Sequence, residues 1–218
     1  MALFYFVRHG EATWNAQERL CGSSDVPLSE VGRTQARELA AHLRSVLVEA
    51  LYSSPLQRAL ETARLIGEVL RLTPIVDQRL TELNYGGWEG KTFEEIERAA
   101  PDVYQTWDAD PANLAPPGGE SGVQLIQRVT PFLADMTRWH PQGNVVVVCH
   151  KTVCRLLACH IMGVPLKEYR QRVHMENTAI NIFEWVDGTW RVLALNDTTY
   201  LSLTEEVSSL RNGGKQAR

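Results

Sequence analysis

Long apolar runs are missing from this chain: none approaches the roughly 20 residues needed to cross a bilayer, and no charged-then-apolar leader precedes the first strand. A cytoplasmic protein with no membrane partner is the expectation. Cysteine is also scarce. The four present, Cys21, Cys149, Cys154 and Cys159, follow no zinc spacing, and three of them cluster around one strand and the helix after it. Buried free thiols packing as small apolar groups are expected. An excess of positive charge is lacking too. With 22 Lys and Arg against 26 Asp and Glu, the net charge is -4 and the pI about 5.9, which argues against a dedicated nucleic-acid or anionic-membrane binder. No linker, low-complexity stretch or internal repeat divides the 218 residues, and 44% hydrophobic content suffices for one substantial core.

What is present reads as alternating strands and helices. The apolar run Leu3 to Val7 is a first strand, and Ser29 is placed to N-cap an amphipathic helix through about Leu43. Val48 to Tyr52 forms a short second strand. Ser54-Pro55 then starts another helix, with proline in its first turn where a missing N–H costs nothing. Ile75-Val76 reads as a short edge strand. Ser121 to Trp139 is a long amphipathic helix, and Asn144 to Cys149, with four consecutive valines, is the clearest buried-strand signal. Thr152 to Met162 follows as a helix that Gly163 ends. Thr178 to Trp185, an Asp187-Gly188 turn and Trp190 to Leu195 suggest a terminal hairpin. The expected fold is α/β: a three-layer sandwich, mostly parallel, with helices on both faces of the sheet and an antiparallel edge strand. One domain spans 1–211, with an insertion at about 89–117 lying over the site and a frayed tail at 212–218.

Arg8-His9-Gly10-Glu11 ends the first strand, and the carboxyl edge of a parallel sheet is where open α/β folds place their chemistry. A histidine beside a guanidinium there is a candidate phosphoryl acceptor with its charge clamp adjacent. The chain continues through Trp14-Asn15, then Gly22 ahead of Asp25-Val26-Pro27-Leu28, then Gly32-Arg33-Thr34-Gln35-Ala36. In these motifs it resembles the histidine phosphatase superfamily, which includes the phosphoglycerate mutases and many small-molecule phosphatases. Ala12 stands where that family usually carries Ser or Thr, and Cys21 where it often has Thr or Gln, so neither side chain is assigned a ligand role.

The resemblance covers roughly residues 3–200 and implies roles for residues further along. In Ser53-Ser54-Pro55-Leu56-Gln57-Arg58 it makes Arg58 a second phosphate-binding guanidinium; the residues alone also allow a solvated Arg58 paired with Glu61 or Glu82. It marks Glu82 as proton donor to the leaving oxygen, a group the chemistry requires because an alkoxide leaves phosphorus poorly unless protonated. Glu89 is the competing carboxylate, read as a brace for the Gly-Trp loop. His150, after the valine strand, becomes the second histidine of the family, a donor to a phosphoryl oxygen. Lys151 replaces the usual glycine and leaves two readings open, a solvent-facing cation or one that reaches a substrate anion at the cleft mouth. Asn15 and the backbone around Gly22 complete the pocket by hydrogen bonding.

Together these imply a metal-independent phosphomonoester hydrolase working through a phosphohistidine, with no cofactor and a small phosphorylated metabolite as partner; a homodimer is possible. The Trp88-Glu89-Gly90 loop and the Gly118-Gly119-Glu120-Ser121 helix start are similar to those of metal-independent phosphoserine phosphatases, which makes phosphoserine the leading substrate. Two other readings stay open: a cofactor-dependent mutase, and a catalytically inactive binding module. The acidic Glu94 to Asp110 region and the Gly86-to-Gly90 sequence favour hydrolysis over the mutase. The presence of Arg8, His9, Arg58, Glu82 and His150 favours an enzyme over the inactive module.

Overall fold

Alternating valines in one strand organise both halves of the core. Val145 and Val147 pack with Phe4, Phe6, Phe132 and Leu157 on one side of the sheet, while Val146 and Val148 pack with Leu39, Leu51, Ala63 and Ile66 on the other. A strand buried on both faces reads as a continuous apolar run, as this one does. The computed structural model describes residues 1–201. In chain order its elements are β1 (Ala2–Arg8), α1 (Glu30–Leu43), β2 (Val48–Ser53), α2 (Gln57–Leu70), β3 (Ile75–Val76), α3 (Phe93–Ala99), α4 (Pro101–Ala109), α5 (Gly122–Trp139), β4 (Asn144–Cys149), α6 (Lys151–Met162), α7 (Tyr169–Arg172), β5 (Ile180–Val186) and β6 (Thr189–Asp197).

The six strands run in the order β3-β2-β4-β1-β5-β6. β3, β2, β4 and β1 are mutually parallel, whereas β5 runs antiparallel to both β1 and β6. The antiparallel strand is therefore one place in from the edge. The hairpin turns β6 back into the direction of β1, so the edge strand itself does not oppose the parallel set. Helices α1 and α2 cover one face and α5 and α6 the other, giving the three layers.

Local capping explains where the helices begin. Ser29 Oγ accepts from Gly32 N at the start of α1, and Ser121 with Gln124 forms a reciprocal capping box on α5. α2 departs from the sequence expectation: it begins at Gln57, after Pro55 rather than around it. Ser54 N still bonds Val148 O at 3.0 Å in the manner of a strand, and the cap comes from a distant loop, Gln57 N donating to Asp25 Oδ1 at 2.7 Å. β5 starts at Ile180 instead of Thr178, whose φ of 56° takes it out of the ladder. The 212–218 tail and the end of the expected 1–211 domain lie outside the described residues. Among those described, no helix is long and apolar enough to cross a membrane, and all four cysteines are buried free thiols.

Candidate active site

β1 and β4 lie side by side in register, Arg8 opposite Cys149, so the next residue of each strand emerges at the same level. Those residues are His9 and His150. His9 N donates to Cys149 O at 3.0 Å, and the two imidazoles meet edge to face with centroids 5.0 Å apart. Strand β2 brings a third group to this edge: Ser54 Oγ lies 2.7 Å from His150 Nε2, while His150 Nδ1, though buried, has no hydrogen-bond partner. The chain turns away from the strands here in opposite directions, the place where open α/β sheets leave a crevice.

His9 is held in one tautomer. Its Nδ1 lies 2.6 Å from Gly10 O, which only accepts, so the proton sits on Nδ1 and the Nε2 lone pair is free to receive Arg58 Nε–H at 3.2 Å. Burial, and then the charges of Arg58 and Arg8, push the His9 pKa well below 6.5 and keep the ring neutral. Burial, Arg58 and His9 do the same to His150. Gly10 has no room for a side chain, since a Cβ there would sit 2.4 Å from Gly32 O on α1. Gly10 N is held by Thr62 Oγ1 on α2 at 3.1 Å, so both helices of that layer fix the loop that carries His9.

The two guanidiniums are anchored differently. Arg58 is fully buried, with Nη1 and Nη2 donating to Ser24 O and Gly22 O at 2.8 and 2.6 Å. The alternative partners for Arg58 do not take it: Glu61 pairs with Arg33 at 2.6 Å. Arg8 Nη1 donates to Met175 O at 2.8 Å, and its buried Nε has no partner. Burial lowers the Arg8 pKa to about 10, still a cation at neutral pH. Unsatisfied buried donors of this kind call for a missing acceptor.

Glu82 lines the same cleft as His9. Its Oε1 accepts from Leu83 N at 2.8 Å and its Oε2 from Thr152 N at 3.1 Å, which seats the carboxyl on the first turn of α6, where backbone N–H groups are otherwise unpaired. Arg128 on α5 donates to Glu82 O at 3.1 Å and to Arg79 O at 2.6 Å, fixing the segment that carries it. Glu89 serves a different purpose. Its carboxylate accepts from Ser23 N, Ser24 N and Tyr85 N at 2.8, 2.9 and 3.1 Å, bracing the Gly22 loop as well as the Gly-Trp loop. Gly22 adopts φ of 52°, and a Cβ there would collide with that carboxylate at 2.2 Å.

Arg8, His9, Asn15, Gly22, Arg58, Glu82 and Lys151 all line one cavity of about 600 Å³, roofed in part by Thr92 and Phe93 of the 89–117 insertion. Asn15 is engaged locally, its Nδ2 on Cys21 Sγ at 3.4 Å and its Oδ1 accepting from Ala12 N at 3.1 Å. Lys151 makes no hydrogen bond or ion pair among the described residues. Burial, then Arg155 and Arg8, lower its pKa to about 8. Sequence reading did not single out Ser54, Thr62 or Arg128; their types are common, and only the tertiary arrangement turns them toward the site. No cluster of His, Cys, Asp and Glu suited to a metal ion occurs among the described residues.

Comparison with known proteins places this arrangement. The family model described as "Histidine phosphatase superfamily (branch 1)" matches residues 4–198. "Phosphoserine phosphatase 1" of Hydrogenobacter thermophilus is 33% identical over 201 residues, 92% of this chain and 95% of that one. "Glucosyl-3-phosphoglycerate phosphatase" of Mycolicibacterium vanbaalenii is 35% identical over 75% of each chain. Among solved structures, Bacillus stearothermophilus YhfR superposes with a TM-score of 0.86 at 34% identity, covering 92% of this chain and 100% of that one.

Proposed function

This chain belongs to the histidine phosphatase superfamily, and from that premise we propose that it hydrolyses a small-molecule phosphomonoester through a phosphohistidine on His9. One observation carries the reading: a buried, neutral His9 on the cavity wall, its proton on Nδ1 and its Nε2 lone pair held by Arg58, with the charge of Arg8 also acting on the ring.

The phosphoryl group sits between Arg8, Arg58, His9 and His150. His9 Nε2 attacks phosphorus in line, the N–P bond forms, and the bond to the ester oxygen breaks. Glu82 gives its proton to that oxygen, so the product leaves as an alcohol. The guanidiniums and the His150 N–H stabilise charge on the equatorial oxygens in a site already ordered for it. Water then attacks the phosphohistidine, Glu82 takes its proton, the N–P bond breaks and orthophosphate leaves. Side-chain cations supply the positive field, which makes the reaction metal-independent in this proposal.

Phosphoserine is the first substrate to try. The Hydrogenobacter relative is named for it, and Lys151, unpaired on the cavity wall, offers a counterion for a carboxylate. Purified protein assayed on a panel of phosphomonoesters, with and without chelator and with vanadate as a mimic of five-coordinate phosphorus, tests the proposal. Turnover that survives chelation and is blocked by vanadate is expected. Complete loss on metal removal, restored by magnesium, would contradict metal independence.

A further inference from the structure

A second cavity of about 420 Å³ adjoins the first, and the two share Leu20, Tyr85, Phe93, Lys151 and Thr152. Its lining is strongly one-signed: Lys151, Arg155, Lys167 and Arg170 face Asp108 as the one carboxylate among the described lining residues. Asp108 is already neutralised. It pairs with Arg170, whose guanidinium lies 4.8 and 4.9 Å from the ring centres of Phe93 and Trp107 and so ties α7 to the insertion. That leaves Lys151, Arg155 and Lys167 without an ion pair or hydrogen bond among the described residues.

Two buried donors on this wall also lack acceptors. Arg155 Nε has no hydrogen-bond partner, and neither has the hydroxyl of Tyr169, a residue only 1% exposed. Burial holds the Tyr169 phenol well above its ordinary pKa, so it remains an O–H donor. An orphaned hydroxyl and an orphaned guanidinium N–H each carry a desolvation cost that an anion would remove. Lys151 and Arg155 are four residues apart on α6, hence on one face of it, which runs the cations from the phosphate cleft into the annex.

We propose that this annex is a specificity subsite for the anionic far end of an elongated phosphomonoester, with Arg155 and Tyr169 as its ligands and Lys151 at the junction. The inference rests on the phosphatase reading and extends it beyond phosphoserine, whose carboxylate Lys151 meets: a longer phosphomonoester, with a carboxylate or phosphate beyond the reach of the phosphate clamp, gains affinity from the annex. Planar guanidinium geometry suits such an oxyanion, and a tyrosine hydroxyl supplies the remaining hydrogen bond.

A graded series of ω-carboxyalkyl phosphonates, each compared with the alkyl phosphonate of equal length, tests it by calorimetric titration of the purified protein. At one chain length the carboxylate should improve Kd by roughly tenfold or more, the range expected of a charge-assisted contact in a partly dry site. Arg155→Met should remove that gain and leave the alkyl phosphonate Kd unchanged; Tyr169→Phe, which keeps the packed ring, should remove part of it. A carboxylate gain absent at every length, or one that persists in Arg155→Met, would overturn the annex. Turnover of p-nitrophenyl phosphate reports separately on the phosphatase reading, because the binding measurement needs no chemistry.

Discussion

Arg58 Nε donates to His9 Nε2 across 3.2 Å, so the guanidinium proposed to bind the phosphoryl group is also the one that holds the proposed nucleophile. The other two nitrogens of Arg58 are fixed on the carbonyls of Gly22 and Ser24, and Glu89 in turn holds that loop. His9, Arg58 and the Gly22 loop therefore form one hydrogen-bonded unit, whose parts are expected to act together.

Replacing His9 by alanine should abolish turnover, by on the order of 10³-fold or more, because the covalent acceptor is gone while the uncatalysed background remains. Circular dichroism should show a folded protein, since His9 lines the cavity rather than the apolar core. Rapid acid- or base-quench with labelled substrate should place phosphate on His9 in the wild type. Near wild-type turnover by His9→Ala would sink the phosphohistidine mechanism.

Arg58→Gln tests the electrostatics. Burial is the larger cause of the low His9 pKa and persists in the variant, but the cation beside Nε2 is removed, so the pKa rises toward 6.5. The acid limb of kcat/KM, which reports protonation of the nucleophile in the free enzyme, should move to higher pH. The rate itself should fall by about 10²-fold or more, the usual loss when a transition-state charge partner is removed. An acid limb that stays put, with the rate reduced, would assign the low pKa to burial and Arg8 and remove Arg58 from its causes.

Much of the fold is legible in the sequence. Four consecutive valines, all β-branched, read as a strand buried on both faces, and Ser29 and Ser121 do cap α1 and α5. Glu61 and Glu82 show the limit: sequence offers both as partners of Arg58, and only the packing of α1 against α2 gives Glu61 to Arg33. Pro55 misleads because the cap of α2 comes from Asp25, far upstream, and proline is compatible with the extended backbone as well as with a first turn. The α7 turn carrying Tyr169 is too short to leave a periodic signal, so the annex has no sequence signature beyond the four-residue spacing of Lys151 and Arg155.

Glu82→Gln and Glu89→Gln should separate acid from brace. In Glu82→Gln the phosphorylation step should slow much more for alkyl phosphates than for an activated aryl phosphate, whose leaving group needs little protonation. Burst kinetics isolate that step. Glu89→Gln should instead destabilise the protein by about 1–3 kcal/mol, since the neutral amide leaves donors of the Gly22 loop poorly satisfied, and should slow both substrates alike. Selective loss on alkyl phosphates in Glu89→Gln, with equal slowing in Glu82→Gln, would exchange their roles.

Lys151 carries the substrate question. Its pKa is lowered to about 8, first by burial and then by Arg155 and Arg8, with Glu82 and Glu176 acting in the opposite sense. Below that value Lys151 is a cation able to meet a carboxylate; as pH rises through it the charge is lost. KM for phosphoserine should therefore climb across that range in the wild type. Lys151→Ala should show a KM raised by roughly tenfold, about 1.4 kcal/mol, and no such climb, while Lys151→Arg should keep its charge and its low KM to higher pH. Comparing variants on one substrate removes the ionisation of phosphoserine itself from the difference. KM for p-nitrophenyl phosphate, which has no carboxylate, should barely respond, the signature of lost uniform binding rather than lost transition-state stabilisation. If KM climbs equally in wild type and Lys151→Ala, Lys151 has no part in recognition. Phosphate transfer to 3-phosphoglycerate outpacing release to water would overturn the hydrolase reading itself.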